Sequence, residues 1–208
     1  MLQEIVDYIV SRIVELDWIA IVLGVVIEAI IVPIPSPLIP MAAGFALLKD
    51  VEGLNFIFIL VIKIGLIGGL TSTFMNIPFY YLGKVGGRPI VKRFSLFLGI
   101  DEDDLDRAIS LIGGRSPLQV AIYRVIPIMP LSLVSISSGI LEMDIWRFTI
   151  STFIGSIPRY VILGYIGWIV RDLYMELALL LDNAETALII LLAIGLIGYI
   201  LVKKFIVR

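Results

Sequence analysis

With 208 residues, 60% of them hydrophobic, and a mean hydropathy of +1.06, the chain carries more apolar surface than a soluble domain of about 45–50% apolar residues can bury. It has no Cys and no His, which excludes disulfides, thiolate nucleophiles, His metal centres and His proton relays and leaves proton chemistry to carboxylates. A formal charge of −2 gives no basis for a nucleic-acid partner. Together these point to an all-α integral membrane protein. Residues 1–17 mix Glu4, Asp7, Arg12, Glu15 and Asp17 with apolar residues, unlike the basic start and uninterrupted apolar core of a signal peptide. Leu2–Leu16 is predicted to be an amphipathic helix at the membrane interface.

Trp18–Leu48 is apolar for its whole length apart from Glu28, but Pro33, Pro35, Pro37 and Pro40 fall in its middle. Each proline removes a backbone donor and disfavours helix in the residue before it, so the helix must break there. The arm before Pro33 has fifteen residues, roughly 22 Å, less than the hydrocarbon core of about 30 Å. Irregular backbone is not tolerated against lipid, so a re-entrant hairpin wrapped by other helices is predicted. Leu54–Leu82 follows as a long transmembrane helix.

Lys84–Arg115 begins with Lys84, Arg88, Lys92 and Arg93, a basic cluster that argues for a cytoplasmic loop. The acidic run from Asp101 to Asp106 is read as a helix start, with Asp101 as N-cap and acids favouring the dipole, and not as a metal site. Leu105, Ile109 and Ile112 recur at helical spacing before Gly113 and Gly114 end the helix. Ser116–Leu141 then repeats the proline-broken pattern with Pro117, Pro127 and Pro130 and gives a second re-entrant hairpin. Phe148–Val170 is a second long transmembrane helix. Thr186–Val202 is a C-terminal one, and Lys203, Lys204 and Arg208 place the C-terminus on the cytoplasmic side.

The two hairpins read as copies, because Pro35 to Gly44 and Pro130 to Gly139 both span nine residues, at an offset of 95. The helices after them end alike, in Phe79-Tyr80-Tyr81-Leu82-Gly83 and Leu163-Gly164-Tyr165-Ile166-Gly167. Broken segments at matching places in two halves mark a midplane site in transporters built from repeats. A single membrane domain is expected: an interfacial helix (1–17), a first repeat (18–83), a linker (84–115), a second repeat (116–170) and an interfacial segment with the last helix (171–208).

Glu28 has no charged residue between Asp17 and Lys49 to pair with, and a charge at the bilayer centre costs at least about 2.5–3.5 kcal/mol. It must be protonated or paired with a cation of another segment, Arg124 or Arg159 being the candidates. Arg159 has eleven uncharged residues on either side and cannot discard its proton, so it needs an anion or water. A guanidinium in a wet cavity suits bidentate capture of phosphate or carboxylate. The candidate substrate-binding set is Glu28, Arg124 and Arg159 with the hairpin tips at Pro35, Pro127 and Pro130. Lys63 and Asn76 are secondary candidates, Lys63 either snorkelling or facing the same cavity.

Glu28, Pro33-Ile34-Pro35-Ser36-Pro37 and Gly44, then Gly69, Tyr81-Leu82-Gly83-Lys84 and Gly86-Gly87-Arg88, resemble the first half of the DedA/VTT superfamily, also called the SNARE-associated Golgi protein family. Arg124-Val125-Ile126-Pro127-Ile128-Met129-Pro130, Gly139, Arg147-Phe148, Gly155, Pro158 and Tyr165-Ile166-Gly167 resemble its second half. The resemblance implies two facing re-entrant hairpins in an inverted repeat and movement of lipids across bilayers. Glu28 matches the family's first-hairpin glutamate and Arg124 its first arginine. Bacterial DedA proteins usually have an acid and a second arginine where this chain has Pro37 and Pro130. That brings it closer to the VTT branch, with Arg-x-x-Pro-x-x-Pro, and leaves one carboxylate for any proton coupling.

The expected function is a scramblase- or flippase-like translocase of a phosphate-bearing lipid, such as a polyprenyl phosphate or a phospholipid, in the cell membrane. The alternatives are an ion- or proton-coupled carrier of a small anion and a non-transporting scaffold. An enzyme is not expected, because no paired-acid or nucleophile constellation occurs at a workable spacing. No cofactor or metal ion is expected, and a homo-oligomer is compatible with the sequence without being specified by it.

Overall fold

A computed structural model describes residues 2–30, 37–93, 102–113, 116–127 and 129–180, and among these all regular structure is helical. The predicted C-terminal span Thr186–Val202, the N-cap Asp101 and the tip residues Pro33, Pro35 and Ser36 lie outside the described residues.

Helix α1 (Leu2–Leu16) has the bounds its amphipathic pattern gives and stops at Asp17, which takes a left-handed φ of 52°. Asp tolerates that region better than most residues, and α2 (Trp18–Ile30) starts directly after it. The described chain resumes at Pro37, ahead of α3 (Leu38–Leu47). At 13 and 10 residues these helices reach about 20 Å and 15 Å, so neither crosses a bilayer alone.

The long helical run that follows has three parts: α4 (Gly53–Phe58), a π-helical stretch (Ile59–Ile67) and α5 (Gly68–Arg93). The π-helical part has no signature in the apolar pattern and was not anticipated. The run also continues into the predicted loop, interrupted by Gly87, whose φ of 57° and ψ of −160° are not helical. Lys84 therefore lies on the long helix itself and Arg88, Lys92 and Arg93 on the short helical piece beyond Gly87. Arg88 pairs with Asp106 at 2.7 Å on α6 (Glu102–Ile112), the helix expected from the acidic start and the Leu105, Ile109, Ile112 spacing. Leu105 and Ala108 bury that face against Leu133 and Ile136.

The second broken segment gives α7 (Pro117–Val125) and α8 (Leu131–Ile140), about 14 Å and 15 Å long. Then α9 runs from Ile145 to Leu180 as one helix, past the end predicted at Val170. Two helical runs, Gly53–Pro89 and Ile145–Arg171, are long and apolar enough to cross a membrane.

The packing turns ordinary amphipathicity inside out. On α9, Ile150, Ile154, Ile162, Tyr165 and Ile169 are exposed, whereas Ser151, Thr152, Ser156 and Arg159 are buried. A helix sided in this way has its apolar stripe outward, as lipid requires.

Two pairs of close contacts fix how the halves interlock. A methyl group added at Gly44 on α3 would overlap the carbonyl oxygen of Gly164 on α9, and one at Gly167 would overlap that of Met41. On the other side, a methyl at Gly139 on α8 would overlap the carbonyl of Tyr80 on α5, and one at Gly83 that of Ile136. Each short helix after a break thus lies backbone to backbone against the long helix of the other half.

Candidate functional site

Proline chemistry at the second break creates its own electrostatic demand. Ile126 and Pro130 hold extended backbone, so carbonyls that would have accepted helical hydrogen bonds are left open. Arg159, fully buried on α9, answers them: Nη1 donates to the carbonyls of Ile126 at 2.5 Å and Met129 at 3.3 Å, and Nη2 to that of Pro127 at 2.7 Å. One guanidinium therefore holds the carbonyls of Ile126, Pro127 and Met129.

Arg124, at the end of α7, is also fully buried and makes a different set of contacts. Its Nη1 donates to Asn76 Oδ1 at 3.0 Å and its Nη2 to Ser135 Oγ at 2.6 Å. Ser135 has one proton, within reach of Asn76 Oδ1 at 2.7 Å and of the Leu131 carbonyl at 2.9 Å. Asn76 in turn donates to the Ser72 carbonyl at 2.7 Å, so its amide is oriented with oxygen toward the arginine. Residues from α5, α7 and α8 thus meet at one guanidinium, which also lies 5.7 Å from the centroid of the Phe148 ring.

Glu28 is buried on α2 at 9% exposure, and its Oε2 has no hydrogen-bond partner among the described residues. Its charged neighbour is Arg159, but no ion pair joins Glu28 to either predicted arginine among the described residues. Tyr160, next to Arg159 on α9, is buried as well. Arg124 Nε and the hydroxyls of Ser137, Thr152 and Ser156 are likewise buried without hydrogen-bond partners among the described residues.

The structure therefore brings together Glu28, Arg124, Arg159, Asn76, Pro127 and Pro130, while Pro35 lies outside the described residues. Lys63 does not face this cluster. It pairs with Asp17 at 2.6 Å and ties the α1–α2 corner to the π-helical stretch. Asn76, a secondary candidate in the sequence, is central. Ser135, Ser72 and Tyr160 were missed, although the run Ser135, Ser137, Ser138 inside an apolar segment was a usable signal.

Residues 34–169 match the family described as VTT domain. The chain is 27% identical over 204 residues to an uncharacterized membrane protein, YkoX, of Bacillus subtilis, covering 98% of this chain and 86% of that one. It is 24% identical over 201 residues to undecaprenyl phosphate transporter A of the same organism, covering 97% and 96%. No solved structure matches it significantly.

Proposed function

Because the chain belongs to the VTT domain family, we propose that this membrane protein moves a phosphate-bearing lipid across the bilayer, with the head group passing the Arg124, Arg159 and Glu28 cluster. The observation that carries this reading is a charge imbalance. The guanidinium of Arg124, which does not lose its proton, is fully buried and bonded to the uncharged Asn76 and Ser135, with no ion pair among the described residues, leaving a positive charge in a setting where an unmatched charge is costly. A phosphate neutralises it, and Arg124 Nε and the hydroxyls of Thr152 and Ser156 are uncommitted groups that can hydrogen-bond to it. The relative named undecaprenyl phosphate transporter A supports a phosphate-bearing substrate.

In this reading the broken segments are re-entrant hairpins of an inverted repeat. Their arms are each shorter than a bilayer, and the crossed contacts respect the repeat. Met41 and Ile136, like Gly44 and Gly139, are 95 residues apart, and Tyr80 and Gly83 stand 84 residues before Gly164 and Gly167. The basic residues from Lys84 to Arg93 face the cytoplasm. The acyl or prenyl tails stay in the bilayer while the head group travels.

The test is transbilayer movement of fluorescent phospholipid and of polyprenyl phosphate in liposomes holding the purified protein, beside Arg124→Gln and Glu28→Gln. The expected result is movement by wild type and a loss of at least about tenfold in Arg124→Gln, the scale of one charge-assisted contact. A folded wild type that moves neither lipid but admits a soluble phosphate would overturn the lipid reading in favour of a small-anion carrier.

A further inference from the structure

At the ends of the two long helices, Lys84, Glu142, Met143, Asp144, Ile145 and Arg147 surround a cavity of about 400 Å³. That is within the roughly 300–1,000 Å³ of small-molecule sites. It is separate from the buried cluster, and its shape is set by the turn between α8 and α9. Glu142 takes a left-handed φ of 52°, its N–H donating to the Gly139 carbonyl at 2.9 Å. Asp144 accepts the Arg147 backbone N–H at 3.0 Å and starts α9.

The lining carries two cations and two carboxylates, yet among the described residues no ion pair joins Lys84 or Arg147 to Glu142 or Asp144. Lys84 lies instead 5.7 Å from the centroid of the Tyr80 ring. Charges of both signs held apart around one cavity complement a ligand with both signs. A phosphate suits Lys84 and Arg147, and an ammonium suits the carboxylates. A bare phosphate monoester would meet two carboxylates as well as two cations.

The cavity also has a defined relation to the arginine cluster. Met143, in its wall, accepts a hydrogen bond from the Tyr80 hydroxyl through its carbonyl. Tyr80 stacks on Phe148 with centroids 4.8 Å apart and planes at 26°, and the guanidinium of Arg124 lies against Phe148. Both rings are fully buried. The Tyr80–Phe148 pair thus stands between the cavity and Arg124.

We propose that this cavity is an outer docking site for a lipid head group carrying phosphate and amine together, with Tyr80 and Phe148 as the partition between it and the inner arginine. The proposal rests on the lipid reading above and narrows its substrate to a zwitterionic phospholipid.

The chain has no cysteine, so Ile145→Cys supplies a unique thiol in the cavity wall and Val85→Cys, at a residue 83% exposed and outside it, supplies the control. The rate of modification by an uncharged maleimide is measured on the full chain in an uncharged detergent with added glycerophosphoethanolamine, glycerol phosphate or inorganic phosphate. Glycerophosphoethanolamine should protect Ile145→Cys at about tenfold lower concentration than either anion, the scale of one added charge pair, and leave Val85→Cys unprotected. Adding Glu142→Gln should erase that advantage. Equal protection by all three, protection by none, equal protection of the control, or an advantage that survives Glu142→Gln would each overturn the docking site. Lipid movement in vesicles is scored separately: movement without protection sinks the docking site alone, and protection without movement sinks the translocation reading alone.

Discussion

The two broken segments share a scaffold and differ in what fills it. Both present a short helix whose glycine lies against the backbone of the opposite long helix, Gly44 on Gly164 and Gly139 on Tyr80. In the second segment the polar groups are densely bonded: Arg124 is held by Asn76 and Ser135, and the carbonyls around Pro127 by Arg159. In the first, Glu28 is buried with Oε2 unbonded among the described residues. The lesson is that backbone packing and polar satisfaction are separable. Among the described residues, one half is locked by hydrogen bonds, while the other leaves Glu28 Oε2 without a hydrogen-bond partner.

Thermal unfolding in detergent can break that comparison. The largest effect is expected from Arg159→Met, which removes the guanidinium donors of three carbonyls, that of Ile126 keeping the Met129 N–H, and should cost about 3–5 kcal/mol, read as a large fall in melting temperature. Arg124→Gln should cost about 2–3 kcal/mol, because Ser135 and Asn76 lose their donor, whereas Glu28→Gln should leave stability unchanged or raise it by up to about 1 kcal/mol. Equal losses in those two variants would mean that Glu28 is as firmly bonded as Arg124 and would erase the asymmetry. Gly44→Ala and Gly139→Ala should each cost about 1–3 kcal/mol through overpacking, and by similar amounts. A large difference between them would undo the common scaffold. The smallest effect is expected from Lys63→Gln, which removes a partly exposed pair and should cost under about 1 kcal/mol.

Much of this was legible in the sequence because prolines and lone charges act locally. The bounds of α1, the break around Pro127 and the buried state of Glu28, Arg124 and Arg159 follow from backbone chemistry and the cost of charge in hydrocarbon. Pairing did not follow, because it depends on how helices rotate against one another. Glu28 was expected to be protonated or paired with an arginine of another segment; among the described residues it forms no such pair, Arg124 going to two uncharged partners and Arg159 to backbone. Lys63 was left to snorkel or to face the cavity, because a flexible stem reaches widely, and from the π-helical stretch it pairs with Asp17 instead. Ser135 escaped notice because a hydroxyl in an apolar segment is cheap to hide by bonding a carbonyl four residues back, as Ser138 does at 2.7 Å.

The hold of Arg159 on three carbonyls also has a mechanical side. Sliding α9 by one turn, about 5.4 Å, would carry the guanidinium out of reach of all three acceptors at once, with no water in hydrocarbon to replace it. The strand around Pro127 and the long helix therefore behave as one lever.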